Sequence, residues 1–69
     1  MNNQEKAEIK KDAKKLYDEL KAGHQKQLSW LREYGELIHS DREYLEARIK
    51  AETVAIQDIE NALARLNDP

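Results

Sequence analysis

The chain has no cysteine and no phenylalanine, two glycines, and a single proline at its last position. Without cysteine there is no disulfide framework, no thiolate metal site and no thiol chemistry. With so few turn formers, there is little from which to build hairpins of strand or long loops. Apolar runs of membrane-spanning length are missing as well. The first residues, Met1-Asn2-Asn3-Gln4-Glu5, are polar and lack the apolar stretch of a signal peptide. A cytoplasmic protein without a membrane association is the expectation. Charge is not biased to one sign: 12 Lys and Arg stand against 14 Asp and Glu, a formal net charge of −2. That balance argues against a strongly nucleic-acid-seeking protein.

What is present is charge and helix formers. Charged residues make up 38% of the 69 residues, and Ala, Glu, Lys, Leu and Arg dominate, the composition of long helices and coiled coils. A chain this short buries little surface on folding and commonly gains stability from metals, disulfides or association. Here association is the route left open.

Ser40-Asp41-Arg42-Glu43 divides the chain into two amphipathic pieces. Serine followed three residues later by glutamate is the capping-box signature, and Asp41 adds first-turn charge that the helix dipole favours. The spacing predicts a second helix over 41–66, in which Leu45, Ile49, Glu52, Ile56, Ile59, Leu63 and Leu66 alternate in steps of four and three, the seam of a coiled coil. The tail Asn67-Asp68-Pro69 stops it. Upstream, Asn2 or Asn3 caps a helix over 3–38, whose main seam, at the same spacing of four and three, is Ile9, Ala13, Leu16, Leu20, Gly23, Gln27, Trp30, Tyr34 and Leu37. Gly23 is the place where this helix could break; continuity is the expectation, since no proline or capping residue supports a stop. The fold class predicted is all-α: a two-helix antiparallel hairpin forming one domain over 1–69, dimerising into a four-helix bundle or coiled coil. Residues 1–12 would overhang without an intrachain partner.

Each helix carries more apolar surface than one hairpin seam can bury. Tyr17, His24, Leu31 and Ile38 recur every seven residues beside the main stripe of helix 1, with Leu28 widening it. On helix 2, Tyr44, Ala47, Ala51 and Val54 form a second stripe. Exposed patches of this size mark interfaces. Either a homodimer consumes them, or a dimer uses the main seams and leaves the second stripe for another helix. Trp30, Leu31, Tyr34, Leu37, Ile38 and Tyr44 gather near the turn, where aromatics serve either as a core plug or as binding hot spots.

The residues of chemistry point to structure. His24 and His39 are fifteen apart, without HxxxH or HExxH spacing, so no metal and no cofactor is expected. Ser29, Ser40 and Thr53 have helix-surface or capping roles, and no enzyme activity is expected. Glu52 in the seam needs a partner, for which Arg48 and Lys26 are the candidates. Lys6, Lys10, Lys11, Lys14 and Lys15 are interleaved with Glu5, Glu8 and Asp12, the i,i+3 and i,i+4 pattern of a solvated helix face; neither arginine nor aromatic sits among them to read or stack on a base.

The function these features support is protein binding. The expected partners are a second copy of the chain and a further, unidentified protein, which the chain regulates or inhibits in the manner of accessory factors encoded by phages and mobile elements. Leu31, Tyr34, Ile38, Tyr44, Ala47 and Val54 are the candidate contact residues. The competing readings are a nucleic-acid-binding helical-hairpin dimer and a structural coiled-coil subunit of a larger assembly.

Overall fold

The computed structural model describes residues 2–67 and is an all-α hairpin of two antiparallel helices. Helix α1 spans Asn3–Ile38 and α2 spans Arg42–Asn67. Asp68 and Pro69, part of the expected stop signal, lie outside the described residues. The molecule is a rod of 54 × 14 × 14 Å, the long dimension being that of α1 at about 1.5 Å per residue.

Local chemistry sets the helix ends. Asn2 caps α1, its Oδ1 accepting from Glu5 N–H at 2.8 Å. At the other end His39 leaves helical geometry (φ −107°, ψ 116°) while its N–H still donates to Gly35 O at 2.8 Å. The second cap is Asp41 and not Ser40. Asp41 Oδ1 accepts from Glu43 N–H at 3.0 Å and Tyr44 N–H at 3.3 Å, and Asp41 O closes the first turn with Leu45 N–H at 3.1 Å. Starting α2 at Arg42 moves Glu43 one place too early to reach back to the cap, so the Ser40 capping box does not form. The carboxylate of Asp41 does the work of both residues and supplies the charge that the helix dipole favours.

Helix α1 passes through Gly23 without a break. A glycine there costs about 1 kcal/mol relative to alanine, which 36 residues of regular hydrogen bonding absorb.

The seam between the helices differs on α1 from the main seam that the spacing predicts. On α2 it is the expected one, with Leu45, Glu52 and Ile59 buried and Ile49, Ile56, Leu63 and Leu66 half-buried. On α1 the residues turned inward are Tyr17, Lys21, His24, Leu28, Leu31 and Gly35, while Leu16, Leu20, Gly23, Gln27, Trp30, Tyr34 and Leu37 are exposed. Gly35 explains the choice. A Cβ at position 35 would collide with Leu45 Cδ1 and stand 3.1 Å from Cδ2. With only His39, Ser40 and Asp41 between the helices, α2 must lie close to α1 at the turn, and Gly35 is the position that admits it. The helix periodicity then carries the seam back through Leu31, Leu28 and His24. Exposure from Asn2 through Asp12 leaves the start of α1 as an overhang, and Ala13 is the first half-buried residue.

Candidate interaction face and the buried ion cluster

Two sites emerge from this packing. The first lies inside the seam. Glu52 is 5% exposed, and its carboxylate is held from both helices. His24 Nδ1 lies 2.5 Å from Oε2 and Arg48 Nη2 lies 3.2 Å from Oε1. The imidazole and guanidinium N–H groups donate; the carboxylate accepts. Arg48 was an expected partner one helical turn away. Lys26 was another, but it lies exposed and His24 takes that place. A charge this buried would cost several kcal/mol alone. Here it is offset by two charge-assisted hydrogen bonds whose donors keep 34% and 40% of their side chains in solvent. No described buried side-chain N or O is without a hydrogen-bond partner. Among the described residues, no group of three His, Cys, Asp or Glu is placed to hold a metal ion.

The second site is a face. On α1, Leu16, Leu20, Trp30, Tyr34 and Ile38 are between 42% and 62% exposed, each set about 100° or less around the helix from the seam. On α2, Tyr44 and Ala51 lie about 100° to one side of Leu45 and Glu52 in the same way, whereas Ala47 and Val54, each two residues along from Leu45 and Glu52, point away from the seam. Because the helices are antiparallel, these two flanks fall on the same side of the hairpin. They meet in an open groove lined by Gln27, Trp30, Ile38, His39, Tyr44 and Arg48. There the Trp30 and Tyr34 rings lie 6.4 Å apart, and the Tyr44 ring meets His39 edge-on at 5.0 Å. Ala51 and Ala55 continue the surface along α2, and beyond them a shallow patch of Ala47, Lys50, Val54 and Asp58 lies on the outer side of that helix.

The opposite side of the hairpin is polar. It carries Asp18, Gln25, Arg32 and Glu36 from α1 and Glu46, Thr53 and Glu60 from α2, all exposed. The inter-helix ion pair of Lys21 with Glu60, at 3.4 Å, lies at that edge.

Of the six contact residues read from the sequence, Tyr34, Ile38 and Tyr44 are exposed on this face, and Ala47 and Val54 are exposed on the outer side of α2. Leu31 is placed elsewhere: at 5% exposure it belongs to the hairpin core, with only its edge reaching the groove floor. The face includes Leu16, Leu20 and Trp30, which the sequence alone assigned to the seam. No described helix is long and apolar enough to cross a membrane. In comparisons with known proteins, no family model, no curated protein and no solved structure matched the chain.

Proposed function

We propose that the protein is a non-enzymatic protein–protein interaction module that acts through one side of its hairpin, in the role of an accessory or regulatory protein. The observation that carries this reading is the convergence of the two apolar flanks. A hairpin with surplus apolar residues scattered around both helices would only be poorly soluble. Here most of the surplus lies on one side and most of the charge on the other, the arrangement of a surface built to be covered by another helical surface. Trp30, Tyr34 and Tyr44 supply the large, stiff amphipathic rings that dominate binding energy at such surfaces.

The test compares two immobilised variants with the parent chain. Tyr34→Glu/Ala51→Glu places charge on the apolar side, whereas Glu46→Lys/Thr53→Lys alters the polar side. Both sets lie at exposed helix positions, and circular dichroism verifies that helicity is kept. Protein capture, whether of the chain itself or of another protein, is expected to be lost in the first variant and retained in the second. Loss in the second alone moves the site to the polar side and overturns the reading. So does capture of nucleic acid with an affinity that falls steeply with salt.

A further inference from the structure

We propose that the occupant of the apolar face is a second copy of this chain, packed about a two-fold axis perpendicular to the helices, so that the two α1 helices cross antiparallel at Gly23. This deepens the reading above and rests on it.

The first argument is size. The hairpin exposes 5745 Å², whereas a compact monomer of 8.1 kDa is expected to expose roughly 4,500 Å². One whole side of the 54 × 14 Å rod has a projected area of about 750 Å², close to what each partner of a standard stable complex buries.

The second argument is register. Leu16 and Trp30 each lie seven residues from Gly23, and Ile9 and Leu37 each lie fourteen. In an antiparallel crossing at Gly23, each residue before it faces the residue equally far after it on the other copy. Leu16 of one copy then enters the groove beside Trp30 of the other, Ile9 approaches Leu37, and symmetry makes every contact twice. The alternative two-fold, parallel to the helices, lays α1 on α2 of the other copy with both turns at one end. It brings none of these pairs together and leaves both overhangs uncovered.

Gly23 itself supplies the third argument. A Cβ at this position would meet nothing within 4 Å, so the isolated hairpin has no use for a residue that weakens its longest helix. A second backbone crossing at that point does use it, since glycine lets two helices approach closely. Ala51 and Ala55, small as well, flank Glu52 on α2. Glu52 bonds His24, which places these alanines level with Gly23.

Charge agrees with the same orientation. Residues 6–15 contain five lysines against Glu8 and Asp12; residues 33–46 contain five acids against Arg42. The antiparallel crossing sets the lysine-rich overhang of each copy on the acidic turn end of the other. With turns together, like charge would face like.

The absence of cysteine makes the test clean. On mild oxidation of the full chain, Gly23→Cys is expected to cross-link to itself, because only a residue on the axis meets its own copy. Leu16→Cys and Trp30→Cys are each expected to stay monomeric under denaturing conditions, while their equimolar mixture cross-links. Sedimentation equilibrium of the unmodified chain is expected to give twice 8.1 kDa, and Gly23→Leu to raise the dimer Kd about tenfold or more by overpacking the crossing. A dimer in which Gly23→Cys fails to self-link, or Leu16→Cys links to itself, overturns the arrangement. A monomer at all concentrations whose capture of another protein still depends on Tyr34 and Ala51 overturns this inference and leaves the interaction module standing. A monomer whose face variants change nothing overturns both.

Discussion

Gly35 and Leu45 form the contact that decides how the hairpin closes. Substituting Gly35→Ala favours the helix by about 1 kcal/mol but forces a methyl group into the side chain of Leu45, which is 6% exposed. Overpacking costs about 1–3 kcal/mol, so a net loss is expected, read as a fall in melting temperature of about 4–8 °C per kcal/mol. Leu45→Ala should reverse the sign of the Gly35→Ala effect, and a double-mutant cycle measures that coupling. If Gly35→Ala stabilises in the parent background, the helices are further apart at the turn than described. Glu52 is the other residue on which the seam turns. Its carboxylate needs both His24 and Arg48, and removing one by His24→Ala should cost about 1–2 kcal/mol. Glu52→Leu should instead raise the melting temperature, because it removes a buried charge while His24 and Arg48 are free to turn to water. In the double variant His24→Ala/Glu52→Leu the penalty of His24→Ala should largely vanish. A Glu52→Leu protein that melts lower would mean that the ion cluster stabilises beyond what a packed leucine restores.

The two helices were legible from spacing and caps, and the reason is that their boundaries depend on local chemistry. Asn2 and the Ser40–Glu43 segment announce starts, and steps of four and three announce faces. The identity of the second cap was one residue off because Ser40 and Asp41 are both good caps, and the choice between them depends on how far the connection must reach after His39. The expected outcome is that Asp41→Ala lowers stability by about 1 kcal/mol, whereas Ser40→Ala is close to neutral. Equal losses from the two would show that both side chains share the cap. The stripe on α1 that faces α2 was less legible, since two stripes run side by side and periodicity does not say which one is covered. Counting apolar residues favours Leu16, Leu20, Trp30 and Tyr34. The close approach at Gly35 selects Tyr17, His24, Leu28 and Leu31 instead, and that approach is a property of the turn. The same exchange hid the pairing of His24 with Glu52, which becomes visible only once His24 is known to point inward. It also hid half of the candidate face: Leu16, Leu20 and Trp30 are free for a partner because they are not in the seam.

At the scale of the whole molecule, the hairpin has, among its described residues, only Leu31, Leu45 and Ile59 as buried apolar side chains. Fully burying a side chain of this kind contributes about 1.5–3 kcal/mol, which does not match the backbone entropy lost in ordering two helices of 36 and 26 residues. Regular hydrogen bonding and the half-buried rows of α2 add to the core, but a lone hairpin of this length is a marginal structure. If folding draws on a second copy, stability becomes a function of concentration. For a two-chain assembly of this size, the unfolding entropy implied by average per-residue values makes each tenfold rise in concentration worth about 5 °C in melting temperature. Thermal scans across three decades of concentration should therefore shift steadily upward. Added salt should lower the whole series by screening the lysine-rich overhang from the acidic turn end. Replacing Lys6, Lys10 and Lys11 by glutamate should do the same at low salt without changing the helical signal of the hairpin. A melting temperature that stays fixed over that range would mean that the hairpin holds itself together. The apolar face would then stand open to a different protein.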